Sequence, residues 1–153
     1  MRICTDVGFV FHPGASDDDN AEVLRLFLEN LIAINRVYLR RNPKTPPLYK
    51  AGVVYHRTNV WDSIPDLYVR RKGDCKSLTA ALIAQLRERG IAASPEFRFL
   101  RNPQTGRTEY HILANRETKS GIFGRRKMGR EDPSRVLGMD EYYRRRGLWV
   151  FPE

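Results

Sequence analysis

The sequence predicts an α+β fold in which helices come first and a small antiparallel sheet follows. Apolar residues recur at helical spacing from Val23 to Tyr38, a second helix begins near Cys75, and two strand-like segments follow Gly90. With 153 residues, 41% of them apolar, the chain is long enough for one hydrophobic core and too short for two. We therefore expect a single domain over residues 1–153.

The N-terminal part predicts an edge strand followed by one long helix. Residues 3–11 have the composition of a strand and end before a Pro-Gly turn. Ser16 and the three aspartates after it favour a helix start, because the hydroxyl caps free amides and the carboxylates oppose the helix dipole. The apolar periodicity continues from Val23 to Arg41, and Pro43 prevents much further helix.

A proline-rich connection leads from this helix to the centre of the chain. Residues 52–56 predict a short strand or an ordered loop. Residues 61–69 favour an anchored turn or short helix with buried aromatic side chains. The basic run of residues 70–72 then leads to Gly73, whose backbone freedom permits a sharp turn.

The second half of the chain predicts a central helix and a hairpin. The helix that begins near Cys75 combines leucines with small residues that permit close packing, and Gly90 occupies the usual position after a helix end. Residues 91–100 and 108–114 read as two strands joined by a turn at 102–106. Together these segments predict that the central helix packs on a small antiparallel sheet.

The C-terminal third contains a basic segment and two short elements. The glycines of residues 120–129 predict a basic loop. We expect a short helix over residues 139–146 and a last strand over residues 148–151.

The formal charge of +9 is concentrated toward the C-terminus. Residues 116–146 hold ten Lys or Arg against five Asp or Glu, a net +5. Such a surface suits an acidic protein face, an anionic surface or nucleic acid, and it is equally typical of a solvated face. No nucleic-acid-binding motif accompanies the charge, so we do not expect sequence-specific DNA reading. Nonspecific nucleic-acid binding is a further, less favoured interpretation. The basic surface is assigned to Arg125, Arg126, Lys127 and Arg130.

Cysteines and histidines are few and scattered. The two cysteines, Cys4 and Cys75, lack the spacing of a disulfide framework, which favours a reducing compartment. The three histidines form no ligand pair, so we expect no metal and no cofactor. No apolar stretch is long enough for a membrane span or a secretory signal, so we expect a cytoplasmic protein without a membrane partner.

Three residues of the right chemical types could form a catalytic triad. Cys75 stands in the first turn of a helix, where unpaired amides and the helix dipole stabilise a thiolate nucleophile. His111 could act as its base, and Asp132 could orient the imidazole. Each has a plainer interpretation: a small buried thiol, a hydrogen-bonded histidine of the sheet, and a turn-forming aspartate before proline.

These residues stand in an order that resembles the transglutaminase-like superfamily, relatives of papain-type cysteine peptidases. The resemblance spans about residues 52–139. It rests on Gly73-Asp74-Cys75, an Ala- and Leu-rich continuation that ends in Gly90-Ile91, Tyr110-His111 and Asp132-Pro133. It implies a papain/transglutaminase-like core with Cys75 as nucleophile, His111 as general base and acid, and Asp132 as the residue that orients His111. The implied reaction is acyl transfer on protein or peptide amides, of the peptidase, deamidase or transglutaminase type, through a thioester.

The chain looks most similar to small members of this superfamily encoded by bacteriophages and prophages. The resemblance rests on Tyr55, Trp61 and Gly73-Asp74-Cys75 in that order, with residues 131–134 later. It implies the host cytoplasm or a virion as location and phage structural proteins as partners. The alternative function is that of a noncatalytic structural or assembly protein that keeps the fold and binds partner proteins.

An oxyanion hole requires a second hydrogen-bond donor beside the Cys75 backbone amide. The Trp61 indole N–H and the Tyr55 hydroxyl are the two candidates, although both residues are also typical anchors of a core.

Overall fold

The computed structural model describes residues 14–120 and 125–152, a mixture of helices with two small sheets. The edge strand expected over residues 3–11 lies outside the described residues. The α+β class predicted from the sequence is confirmed. In chain order the elements are α1 Asp17–Arg41, a 3₁₀ turn Leu48–Lys50, β1 Val54–Tyr55, α2 Ile64–Arg70, β2 Lys72–Gly73, α3 Cys75–Glu88, β3 Ala93–Arg101, β4 Thr108–Ser120, β5 Arg125–Glu131, α4 Pro133–Val136 and α5 Met139–Arg144.

The first helix begins where its capping residues predict. The Ser16 hydroxyl accepts a hydrogen bond from the Asp19 amide at 3.1 Å, and the Asp19 carboxylate accepts one from the Ser16 amide at 2.8 Å. This capping box satisfies two amides that the helix itself leaves unpaired. Farther along, the buried Asn35 accepts a hydrogen bond from the Ile64 amide at 2.7 Å, which connects α1 to the start of α2.

The helix α3 forms the centre of the core. Every residue of α3 from Cys75 to Leu86 is buried, because both α1 and the three-stranded sheet pack against this helix. The Thr79 hydroxyl donates to the Ile112 carbonyl at 3.0 Å and fixes the helix against β4. Arg87 donates to both carboxylate oxygens of Glu29, which joins the end of α3 to α1. The first turn of α3 is therefore held beside the middle of β4.

The packing of α2 beside β2 explains Gly73. The short strands β1 and β2 pair in parallel, with Tyr55 opposite Gly73. A Cβ atom at residue 73 would lie 2.5 Å from Cδ1 of the buried Leu67. Glycine is thus required here by the packing of α2, and its φ angle is not positive.

The sheet is longer than the sequence predicts. The hairpin of β3 and β4 is confirmed, with Arg98 opposite His111, but β4 continues to Ser120. The predicted basic loop over residues 120–129 is wrong for residues 125–129, because residues 125–131 form β5 and pair antiparallel with β4; residues 121–124 lie outside the described residues. Oppositely charged side chains on the two strands, such as Arg116 and Glu131 at 2.8 Å, accompany this pairing.

The C-terminal segment runs over the hairpin without forming a strand. The helix α5 confirms the prediction for residues 139–146 to within two residues, but the predicted strand over 148–151 is wrong. Side chains take the place of strand pairing: the Trp149 amide donates to Gln104 at 2.7 Å, and Arg98 donates to the Pro152 carbonyl at 3.2 Å. Arg135 likewise donates to the Phe151 carbonyl.

Candidate active site

Cys75 opens α3 and borders an accessible pocket. Its residue exposure is only 8%, yet it lines an open pocket of about 230 Å³ together with His111. Asp74 caps the helix by accepting a hydrogen bond from the Lys76 amide at 3.1 Å. The Cys75 amide, as the first of the helix, has no acceptor within the helix. A sulfur and a backbone donor thus stand at the same point of the pocket wall.

His111 lies between Cys75 and Asp132. Its Nε2 atom is 2.7 Å from Asp132 Oδ2, and its ring lines the same pocket as the Cys75 side chain, whose proximity raises the pKa of the imidazole. Because Asp132 occupies Nε2, Nδ1 is the nitrogen that remains for the thiol. Burial of the ring lowers the pKa of His111. The interactions with Asp132 and Cys75 raise it by a larger amount, so that the pKa of His111 rises to about 9. The imidazole is therefore predominantly protonated at neutral pH.

Asp132 is held by the turn that follows the sheet. Pro133 opens the short helix α4, so Asp132 becomes its cap, and Oδ1 accepts hydrogen bonds from the amides of Ser134 at 3.0 Å and Arg135 at 3.3 Å. This leaves Oδ2 directed at the imidazole. Burial raises the pKa of Asp132, but the hydrogen bond with His111, the His111 charge and Arg135 lower it more. Asp132 is thus an ionised and fixed partner for the ring.

The topology explains why three distant residues meet. The end of β5 lies opposite Ala114, three residues along β4 from His111, so Asp132 follows directly into the neighbourhood of the ring. The contact of Thr79 with Ile112 places the first turn of α3 against the same part of β4. The structure brings together Cys75, His111 and Asp132, the three residues singled out in the sequence.

Of the two predicted oxyanion donors, only Tyr55 lies in this pocket. Trp61 packs edge-on against Phe27, with ring centroids 6.2 Å apart, and does not line the pocket. The Tyr55 hydroxyl lies 3.1 Å from the hydroxyl of Tyr143, a second pocket residue. Burial raises the pKa of Tyr55, and the nearby Cys75 side chain raises it further, so the phenol keeps its proton.

Sequence reasoning missed Tyr143 and the aromatic residues of the C-terminal segment. Phe151 contacts the imidazole of His111, with ring centroids 5.3 Å apart, and Trp149 lies beside Phe151. The signals were present as an aromatic pair in α5 and a Trp-Val-Phe sequence near the end of the chain. Neither signal has a spacing that points to a cysteine 67 or more residues away.

A buried ion pair stands next to the nucleophile. Lys76 contacts Asp74 through its ammonium group and donates to the Thr58 carbonyl at 3.0 Å. Burial raises the pKa of Asp74, although Lys76 opposes the shift. Since each charge lies against its opposite, the pair mainly fixes the loop at Thr58 that forms one wall of the pocket.

The predicted basic surface is partly neutralised within the sheet. Arg126 pairs with Glu117 at 2.9 Å, and Arg130 pairs with Glu96 at 2.7 Å. Lys127 is exposed, whereas the side chain of Arg125 lies outside the described residues. Much of the expected positive field is therefore compensated on the strands themselves.

Comparisons with protein-family models, with curated proteins and with solved structures gave no match to this chain. Over residues 14–120 and 125–152, no cluster of three or more His, Cys, Asp or Glu side chains could hold a metal ion. In the same residues, none of the helices combines the length and the apolar character needed to cross a bilayer. The fold and the site thus define an α+β protein with a Cys-His-Asp arrangement at an open pocket.

Proposed function

We propose that this chain is a cysteine-dependent acyl-transfer enzyme that acts on protein or peptide amides through a thioester. The observation that carries the proposal is the position of His111, which lies beside Cys75 at the wall of an open pocket and makes a hydrogen bond with Asp132. A histidine with a purely structural role would need neither a thiol partner nor access to a pocket. The order thiol, imidazole and carboxylate is the one that covalent catalysis by cysteine requires.

In the proposed reaction the Cys75 sulfur attacks the carbonyl carbon of an amide. The carbonyl π electrons move to oxygen, and the tetrahedral intermediate collapses as His111 gives a proton to the departing nitrogen. The C–N bond breaks, an amine or ammonia leaves, and a thioester remains on Cys75. Water or a second amine, deprotonated by His111, then attacks the thioester carbonyl. The C–S bond breaks, a carboxylic acid or a new amide leaves, and the proton held by His111 returns to the sulfur. Asp132 holds the ring in place and stabilises its charged form during both steps.

Tyr55 and Tyr143 together supply the donor that this intermediate requires. The two hydroxyls have two protons, and their mutual hydrogen bond uses one of them. Neither hydroxyl has another hydrogen-bond partner within residues 14–120 and 125–152. One proton is therefore available to an oxyanion in the pocket, beside the Cys75 backbone amide. Tyr143 acts as a positioning residue, since it fixes the Tyr55 oxygen.

Removing the Tyr55 hydroxyl should slow acylation without slowing simple alkylation. For Tyr55→Phe we expect release of p-nitrophenolate from p-nitrophenyl acetate to fall by about 10²-fold, as for loss of one oxyanion donor. Alkylation of Cys75 by iodoacetamide forms no oxyanion and should keep its rate. Tyr38→Phe, which removes a hydroxyl from α1 away from the pocket, serves as the matched control. Equal acylation rates in the Tyr55→Phe and wild-type proteins would contradict the assignment.

The proposed function itself is tested with a mixed protein substrate. Wild type and Cys75→Ala are incubated with dimethylcasein and a fluorescent primary amine, and ammonia, new α-amino groups and amine incorporation are measured separately. We expect at least one of these products in the wild type only, together with an acyl adduct on Cys75 detected by mass spectrometry. Ammonia without amine incorporation identifies a deamidase, new α-amino groups identify a peptidase, and ammonia together with incorporated amine identifies a transglutaminase.

The alternative, a noncatalytic structural or assembly protein, draws on the β4–β5 hairpin. This hairpin exposes Lys127 and Met128, which could contact a partner protein. The same experiment separates the two proposals, because a noncatalytic protein would form neither product nor acyl adduct.

A further inference from the structure

A second pocket lies next to the cysteine pocket. It measures about 240 Å³ and shares Arg57 and Thr58 with the wall of the first pocket. The remaining lining residues are His56, Asp62, Arg70 and Lys72. Three of its six residues are permanently cationic at neutral pH, and the proposed acyl-transfer reaction uses none of them.

The fold brings these cations together from two separate segments of the chain. The pairing of β1 with β2 sets Val54 opposite Lys72, and the His56 amide continues it by donating to the Gly73 carbonyl at 2.9 Å. Arg57 follows directly, and Arg70 projects from the last turn of α2. The basic run at residues 70–72 thus meets a cation from elsewhere in the chain.

Neighbouring carboxylates compensate this charge only in part. Asp62, which is buried, lies 3.6 Å from Arg70. Arg57 lies 3.8 Å from Glu109, a residue of the cysteine pocket. Lys72 has no ion-pair partner within residues 14–120 and 125–152. The six lining residues carry a net charge of +2, from three cations and one carboxylate, and Glu109 beside Arg57 reduces the local excess to +1. Like charges in one concavity repel each other unless an anion joins them.

We propose that this second pocket is a subsite for an oxyanion group, either a carboxylate or a phosphate. Arg57 and Arg70 offer planar donors that match both groups, and Lys72 adds a point charge. Because Arg57 and Thr58 belong to both pockets, a ligand bound here lies beside the nucleophile. On the basis of the proposed acyl-transfer function, the subsite holds the acidic group of an acyl donor or acceptor.

The binding test uses inorganic phosphate and acetate as separate probes of the full chain, in wild type and in Cys75→Ala. Titration is followed through the backbone amide NMR signals of Arg57, Thr58 and Gly73. We expect saturable shifts with at least one probe, weakened about fivefold or more in Lys72→Gln, the scale of one lost charged hydrogen bond. Saturation by phosphate alone identifies a phosphoryl ligand, and saturation by acetate identifies a carboxylate.

Arg71→Gln is the matched control, since Arg71 belongs to the same basic run but does not line the pocket. Equal weakening in Arg71→Gln and Lys72→Gln would show attraction by net charge only and would overturn the proposal, as would absence of saturation with both probes. The Cys75→Ala protein should bind like the wild type, so failure of the acyl-transfer function leaves this result intact.

A second measurement tests the connection between the pockets. Iodoacetate and iodoacetamide alkylate the same sulfur, but only the first has a carboxylate. The ratio of their rates at Cys75 should fall in Lys72→Gln relative to Arg71→Gln. An unchanged ratio would overturn the substrate role of the subsite.

Discussion

Replacing His111 with alanine should lower the rate of p-nitrophenyl acetate hydrolysis at pH 7 by about 10²–10⁴-fold. The imidazole interacts with both Cys75 and Asp132, so its loss removes the proposed proton carrier between the thiol and the substrate. Alkylation of Cys75 by iodoacetamide should slow as well. The measurement is the second-order rate constant for each reagent, with mass spectrometry to locate the adduct.

The control for this prediction is a residue of β4, the strand that holds His111. Asn115→Ala alters a half-buried polar residue of β4 outside the pocket and should leave both rates close to those of the wild type. Asp132→Asn should give an intermediate loss, because the amide keeps a polar contact but cannot stabilise the imidazolium by charge. Equal alkylation rates in the wild type and His111→Ala would end the assignment of the pair.

The free energy of unfolding should fall as the pH rises from 6.5 to 9. His111 has an ordinary pKa of 6.5 and a folded-state pKa raised to about 9, so the folded protein binds its proton more tightly than the unfolded chain does. The stabilisation is complete below pH 6.5 and is lost as the pH rises through the folded value. The difference corresponds to about 3 kcal/mol. Urea unfolding at a series of pH values measures it.

His111→Gln provides the comparison for this second prediction, because glutamine does not titrate. Its unfolding free energy should vary much less across the same pH range. Asp132 acts with the opposite sign in acid: its lowered pKa gives stabilisation that is present above its ordinary pKa of 3.8 and is lost as the pH falls through the folded value. A parallel pH profile for His111→Gln and the wild type would contradict the raised pKa.

Local signals in the sequence were sufficient for some elements and not for others. The ends of α1 were predictable because Ser16 and Pro43 act on their own neighbours. The strand β5 was not, because its glycine and arginines become a strand only through pairing with β4, which is a nonlocal interaction. The C-terminal segment failed as a strand for a related reason: distant side chains such as Gln104 satisfy its backbone.

The candidate active site, like the fold, was predictable from the sequence only in part. The chemical types and the chain order of Cys75, His111 and Asp132 could be read from the sequence, whereas the distances between them depend on how α3 packs on the sheet. Trp61 and Tyr55 were indistinguishable as candidates, since both are aromatic donors upstream of the cysteine. Only the tertiary packing distinguishes the two candidates, because the Trp61 ring packs against Phe27 whereas Tyr55 lines the pocket.

The anchoring of the C-terminal segment has a practical consequence for work on this protein. Phe151 touches the imidazole, and residues 149–152 are tied to the hairpin and to Arg135 through their backbone. An affinity tag or fluorescent fusion joined directly after this segment would pull on the same chain that supports the ring. For kinetic measurements, the protein is better labelled at an exposed residue far from this segment, such as Lys44 in the connection after α1.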